Sequence, residues 1–428
     1  MDQPNYLPDV RNQYELLPYP PVNPQDEHKR LMRTWLEDLP MINHYCFAGT
    51  QSFTRGFRAL MAGGGTGDAT IFMAEQLRAT DARIVHLDLS TASIKIAQER
   101  AAIRGLTNID FIHDSLLNLP KLGLQQFDYI NCSGVLHHLA DPDAGLTALE
   151  TMLAPGGAMG IMLYGTIGRI GVYQMQAMLG LLDDGALTPA ERISQAKQLL
   201  TALPDTSWFK RGAELYGDSA RTDADIYDMF LHSQDRSYTI EQIYTWLADQ
   251  HGFHITLSDV QRGRYPYLPD MTLHHDAHAL RERARGMPAR AQYAMSELIM
   301  GDLVKHSFYL TRTADAVAAY GDLDMIPFYF HEPLTGIALE SVFTSDDGGP
   351  ITLHHGYLGM TVKIDAGRYS AKILRHIDGV LSFREIFMKV RAEPAFRGLT
   401  PDDATLFKDF APSFTALNAI ERLLLRRR

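Results

Sequence analysis

The chain has 428 residues, of which 46% are hydrophobic and 21% charged, an ordinary globular composition with room for roughly two or three domains and a large core. A net charge of −11 and a pI of about 5.8 leave no broad basic face, so a nucleic-acid partner is not expected. The two cysteines, Cys46 and Cys132, make neither a disulfide framework nor a thiolate metal site.

The first twenty residues carry neither the basic start nor the apolar centre of a signal peptide. No uncharged apolar run approaches the roughly 18 residues of a membrane span. The chain therefore reads as cytoplasmic, with no membrane partner. Residues 1–50 read as an N-terminal arm: Pro18, Pro20, Pro21 and Pro24 oppose a regular helix, and Tyr14 and Tyr19 suggest an extended segment packed on the core.

"ALMAGGGTGDAT", Ala59 to Thr70, joins a short apolar strand, "FRALMA", to a helix, "DATIFMAEQL". Glycine at such a junction permits positive φ and close approach to the backbone, and a helix N-terminus favours electronegative ligand groups. The spacing excludes two phosphate loops. A P-loop needs Gly-Lys-Ser/Thr, whereas Asp68 and Ala69 follow Gly67; the G-x-G-x-x-G fingerprint fails because its sixth position is Asp68. What remains is G-x-G-x-G at Gly63, Gly65 and Gly67.

A second strand, "ARIVHLDLS", ends in Asp88, an acid placed to accept both hydroxyls of a ribose or to begin the next helix with Ser90 or Thr91. "NIDFIHDSLLNLP" adds a strand ending at Asp114–Ser115. "FDYINCSGVLHHLADP" adds a strand, a turn at Ser133–Gly134, and His137–His138. "MLAPGGAMGIMLYG" completes a fifth unit. This alternation argues for an α/β fold with a doubly wound, mostly parallel sheet.

"AGGGTG", "HLDLS", "FIHDSLLNLP", "FDYINCSGVLHHLADP" and "LAPGG", in this order over residues 59 to about 165, resemble a class I S-adenosylmethionine-dependent methyltransferase. The resemblance implies a seven-stranded sheet and S-adenosylmethionine as cofactor. It assigns the cofactor's methionine end to Gly63, Gly64, Gly65 and Gly67, the ribose to Asp88 with Leu89, and the adenine to Asp114 with Ser115. Ser133 would border the methionine. It also places Tyr14 and Tyr19 near a closed cofactor site. Met61 departs from the family, which often has an acid there, so the cofactor's ammonium needs another partner. His138 would orient the acceptor or act as base, unless the histidines only pack.

Beyond the fifth strand, "TIEQIYTWLADQHG" begins with a Thr239/Gln242 capping box and stops at Gly252. "FHITLSDV" and "KHSFYLTR" supply the last two strands, expected at one sheet edge. The domain reading is an arm at 1–50 and a cofactor-binding core at 51–165. A helical lid insertion follows at 166–238, then the end of the core at 239–313 with a second insertion at 263–303. A linker at 314–355 leads to a C-terminal module at 356–428. The lid would face the acceptor, with His232, Arg236 and Tyr238, together with Tyr19, as substrate contacts. "RYSAKILRHIDGVLSFREIFMKV" reads as two helices with a Ser382/Glu385 capping box, locally similar to winged-helix peptide-binding modules. The closing "RLLLRRR" reads as a solvated helix end.

No metal is expected. His274, His275, Asp276 and His278, or His354 and His355, lack a second ligand set at zinc-like spacing. The partners expected are a small-molecule or protein/peptide acceptor and, as an open possibility, a second copy of the chain. Methyl transfer is the expected activity. The alternative is a catalytically silent scaffold or regulatory protein that binds a partner through the C-terminal module.

Overall fold

The computed structural model describes residues 6–216, 222–260, 262–274, 276–331, 336–343, 351–355, 360–396 and 398–428. His275, weighed above for a metal, lies outside them. Among the described residues no helix is long and apolar enough to cross a membrane. The chain divides into two units, one of Met1–Asp38, Phe53–Phe253 and Met300–Arg312, the other of Leu39–Ser52, His254–Ile299 and Thr313–Arg428.

The first unit carries the doubly wound sheet. Its parallel strands are β1 (Arg58–Ala62), β2 (Arg83–Asp88), β3 (Ile109–His113), β4 (Phe127–Ser133) and β5 (Leu153–Gly165), in the order β3-β2-β1-β4-β5. A short β6 (Ser237–Tyr238) adds to β5. Of the two late strands expected from the sequence, β8 (Lys305–Thr311) runs antiparallel to β5, and β7 (His254–Leu257) forms in a segment that belongs to the second unit. The apolar runs read from the sequence are the buried strands: Ala59, Leu60, Met61, Ile84, Leu87, Ile130 and Ile161 are all inaccessible or nearly so. In β1, Met61 is the register partner of both His86 and Asn131.

Local signals set the crossovers. The helix Thr91–Arg104 starts where the Ser90 hydroxyl accepts from the Ser93 N–H, and it ends at Gly105 in the left-handed region. Asp141 caps Pro142–Met152 in the same way, with proline at its first position. "LHH" forms a separate 3-10 turn, Leu136–His138, ahead of that helix. In the insertion after β5, helices Ile170–Leu182 and Pro189–Ala202 close a small second core around Val172, Met175, Ile193 and Phe230. The Thr188/Glu191 and Thr239/Gln242 capping boxes both form.

The arm is more ordered than its prolines suggest. Pro8–Leu16 is a helix, ending just before Pro18, because proline at the first position costs no helical hydrogen bond. Pro24–His28 makes a 3-10 turn. Glu27 on that turn forms a buried ion pair with Arg100, which also donates to the Thr66 carbonyl and pairs with Asp68.

The second unit gathers segments that the sequence reading keeps apart. It includes most of the second insertion, with helices Pro269–Thr272 and His278–Arg285, together with Ser370–His376, Phe383–Ala392 and Asp403–Ala419. Arg264 donates to Asn418, and the Gly263 N–H and carbonyl bridge to Asp259. The Ser382/Glu385 capping box forms as expected. The closing basic run is corrected: Leu423–Arg426 is a strand, β12, antiparallel to β9 (Ile326–Tyr329). Three consecutive leucines give no helical stripe, and all three are fully buried. A further hairpin pairs β10 (Ile351–His355) with β11 (Met360–Ile364).

Removing Glu27 leaves buried Arg100 with only Asp68 and the Thr66 carbonyl, and takes a carboxylate from Arg104 as well. Glu27→Ala is therefore expected to cost about 3–5 kcal/mol of stability in chemical denaturation. A loss below about 1 kcal/mol would show that Arg100 does not depend on it.

Candidate functional site

The glycine loop follows β1 and turns into helix Asp68–Gln76, whose N-cap is Gly67 at φ +100°. A Cβ on Gly65 would lie 2.7 Å from the Tyr19 carbonyl oxygen, and one on Gly67 would lie 2.8 Å from Ala97 Cβ. The glycines are thus demanded by the arm and by the neighbouring helix. The N–H groups of Gly63 and Gly64 donate to Leu87, that of Gly65 to Asp88, that of Thr66 to Tyr19, and that of Gly67 to Gly64. A phosphate loop keeps such groups bare for its ligand; this loop does not, which agrees with the failed phosphate spacings.

Asp88 ends β2. Its two oxygens accept from the Gly65 and Ser90 N–H groups, at 2.7 and 2.8 Å, and burial raises its pKa against those bonds. Each oxygen keeps a lone pair for a hydroxyl donor. The Leu89 carbonyl accepts from or faces the His113 ring nitrogen at 3.0 Å. Asp114 commits Oδ1 to the Ser115 N–H and the Asn118 amide, both at 2.7 Å. Ser133, at the end of β4, meets the Asn131 amide at 3.0 Å.

The arm crosses this end of the sheet. The Tyr14 carbonyl accepts from the Ser90 hydroxyl, and the Glu15 carboxylate takes the Thr91 and Ala92 N–H groups. A carboxylate at a helix N-terminus is favoured by the dipole, and Glu15 is held below its ordinary pKa. The Tyr14 side chain reaches a cluster assembled from four parts of the chain.

That cluster contains His137 and His138 after β4, Tyr164 at the end of β5, and Asp228, His232 and Gln234 from the lid. The His138 and His232 rings stack at 3.8 Å. Gln234 fixes both tautomers. Its carbonyl lies 2.7 Å from His138 Nδ1, which must therefore carry a proton, so in the neutral ring the lone pair is on Nε2. Its N–H donates to His232 Nδ1, which puts the His232 proton on Nε2, 3.3 Å from the Tyr14 hydroxyl. Tyr14 in turn donates to Asp228 at 3.0 Å, and Tyr164 donates to the other Asp228 oxygen at 3.4 Å.

Burial pushes His232 down to about 2 and His137 well below its usual range, so both rings are neutral. It raises Asp228, Tyr14 and Tyr164, with Asp228 itself adding to the two tyrosines. His137 is fully buried, and among the described residues neither of its ring nitrogens has a hydrogen-bond partner. Arg169 lies 3.6 Å over the Tyr164 ring and pairs with buried Asp235.

His138, Asp228 and His232 offer donor atoms within 4.8 Å of one another, the spacing of a metal site. The tautomers argue against one: His232 Nδ1 is spent on a backbone N–H, so its Nε2 carries a proton and has no lone pair for a cation.

The structure brings His138 and His232 together, as well as Gly65 and Asp88. Arg236 and Tyr238 fall elsewhere: with Trp246 they line an open groove of about 620 Å³, where Tyr238 stacks on Trp246 and Arg236 donates to the Ala140 carbonyl. Tyr19 lies against the glycine loop through its carbonyl, and its hydroxyl pKa is raised by burial and by Asp228. Asp228, Tyr164, Gln234 and Arg169 were not singled out from the sequence. Asp228 lies in the π-helical turn Tyr227–Leu231 and His232 follows it in extended backbone, a juxtaposition that helical spacing does not announce.

Residues 60–159 match the family model of a methyltransferase domain. An uncharacterized protein of Synechococcus sp. is 30% identical over 316 residues, 73% of each chain. The tRNA 5-carboxymethoxyuridine methyltransferase of Escherichia coli K12 is 34% identical over 114 residues, 26% of this chain and 42% of that enzyme, so less than half of its length is matched. The solved structure of PKMT2 from Rickettsia typhi in complex with AdoHcy has a TM-score of 0.61 at 14% identity, over 92% of this chain and 76% of that one, a likeness of fold.

The unfolded chain protonates His232 near pH 6.5, whereas the folded protein refuses that proton until about pH 2. This residue therefore makes stability fall as pH drops below its unfolded pKa. His232→Gln is expected to remove about 2 kcal/mol of the stability lost between pH 7 and pH 5. Identical pH profiles for the two proteins would mean that the ring takes up its proton in the folded state.

Proposed function

Because this chain belongs to the class I S-adenosylmethionine-dependent methyltransferases, we propose that it methylates a proton-bearing acceptor held against the cluster of His138, Asp228 and Tyr14. The acceptor atom is an amine or hydroxyl, on a small molecule or on a protein or peptide. When bound, S-adenosylmethionine supplies an electrophilic methyl group. The chain's own groups fit it. The spare lone pairs of Asp88 suit the two ribose hydroxyls, Asp114 Oδ2 suits the adenine amino group, and the glycine loop lies beside β4 and Ser133 for the methionine end.

The observation that carries the reading is the pinned tautomer of His138. Its Nδ1 proton is spent on the Gln234 carbonyl, so in the neutral ring Nε2 is the lone-pair acceptor. A base in this state takes the acceptor's proton. His232, pushed down to about 2, does not compete for it. Asp228, with hydroxyls of Tyr14 and Tyr164 on its oxygens, orients the acceptor's polar atom. The arm, resting on Ser90 and Thr66, excludes water from that end of the sheet.

Asp88→Ala is expected to weaken S-adenosylmethionine binding in a calorimetric titration by about tenfold or more, since a hydrogen bond to a charged group contributes roughly 1.5–3 kcal/mol. An unchanged affinity would mean that another group receives the ribose. His138→Gln is expected to lower kcat by about 10²–10⁴ while leaving cofactor affinity unchanged. Full turnover in that variant would remove the base assignment.

A further inference from the structure

The family's acid at the end of β1 is replaced here by Met61, which is fully buried. Its register partners, His86 on β2 and Asn131 on β4, point to the same face of the sheet and make one row with it beneath the glycine loop. His86 is committed: its Nδ1 lies 2.7 Å from the Thr70 hydroxyl, and burial lowers it to about 4, so it is neutral. On the other side of Met61 the row is completed from outside the sheet. The Asn131 amide donates to the Glu37 carboxylate and reaches the Ser133 hydroxyl at 3.0 Å.

Glu37 is only 2% exposed, and no ion pair joins it to a cation among the described residues. Its neighbour Asp38 is neutralised by Arg33, at 2.6 Å. The segment is clamped in place: the Glu37 carbonyl accepts from the Gln76 amide, and the Leu36 carbonyl accepts from the Tyr129 hydroxyl on β4. A buried carboxylate without a cation is costly. Burial, with Asp38 adding to it, raises Glu37 to about 7.

We propose that Glu37 supplies the negative charge that β1 lacks, as a positioning residue that acts through Asn131 and Ser133 on the ammonium of the cofactor's methionine. The ammonium arrives beside β1 and β4 and offsets the cost of burying the carboxylate, and Glu37 gives up its proton to solvent as the cation binds. Besides Asp38 with its Arg33, the titratable groups around it are Tyr129 and, on β8, Tyr309, whose hydroxyls both face the Leu36 carbonyl, and His86 across Met61. Burial raises Asp38 as well, against its bond to Arg33, and holds His86 down at about 4, so the Glu37→Gln variant is what separates Glu37 from its neighbour.

The inference rests on the assignment of the glycine loop to the cofactor, and the test separates the two. The full chain is titrated calorimetrically between pH 6 and pH 8 with S-adenosylhomocysteine, which carries the ammonium, and with 5′-methylthioadenosine, which lacks it. A bound cation lowers the Glu37 pKa, so affinity for the first ligand should rise with pH, about tenfold over this range, and level off above it. Affinity for the second should stay flat. Glu37→Gln should abolish the rise and weaken the first ligand about tenfold at pH 8; adding Met61→Glu should recover part of the loss.

Equal pH slopes for the two ligands, or a slope that survives in Glu37→Gln, would overturn the proposal. Should that variant fail to fold, proton release by the wild-type chain at pH 7, read in two buffers of different ionisation heat, decides the matter: no release on binding S-adenosylhomocysteine overturns it. Binding of neither ligand would overturn the loop assignment as well.

Discussion

A single buried guanidinium ties the cofactor end of the sheet together. Arg100, on the helix after β2, binds Glu27 of the arm, the Thr66 carbonyl of the glycine loop, and Asp68 at the start of the next helix. Being planar and always charged, it can hold three separate pieces of chain in one geometry. Glu27 also meets Arg104, so one carboxylate serves two cations. The arm, the loop and the helix are thereby fixed to one another before any ligand is considered. The arm's other contacts depend on this: the Tyr19 carbonyl against Gly65, the Tyr14 carbonyl on Ser90, and the Tyr14 hydroxyl on Asp228.

The arm joins two chemistries. Its backbone lies on the loop and on the β2 end, where the cofactor groups gather, and one of its side chains enters the polar cluster that we assign to the acceptor. That cluster is built from neutral groups wherever neutrality matters. Gln234, with one carbonyl and one N–H, sets the two stacked histidines in opposite tautomers. The same arrangement that leaves His138 Nε2 basic denies His232 a lone pair for a cation. A base and a metal ligand set can look alike as lists of residue types, and the placement of two protons separates them.

The sheet was legible in the sequence because each strand is a short apolar run with a glycine or acid at its end, and strand, turn and helix chemistry agree locally. The capping boxes at Thr188, Thr239 and Ser382 were equally legible, since their partners lie three residues away. What could not be read depends on long-range pairing. The Tyr14–Asp228 bond spans 214 residues and the Asn131–Glu37 bond 94. Glu37 carries no motif at all, and only its burial beside Met61 makes it notable. The tail was misread because a basic terminus suggested solvent, whereas its three leucines pack as a strand and its arginines reach the Gly379 carbonyl, Asp322 and Glu385.

The central claim is that one end of this sheet holds S-adenosylmethionine with its ribose on Asp88, its ammonium toward Ser133 and its reactive end toward His138. A crystal structure of the chain soaked with S-adenosylhomocysteine tests it most directly. The account predicts density over the glycine loop, with both ribose hydroxyls on the Asp88 carboxylate, the amino group on the Ser133 side, and the sulfur facing the His138–Asp228 cluster. The ligand lying elsewhere, or bound with its carboxylate where the amino group should be, would contradict it.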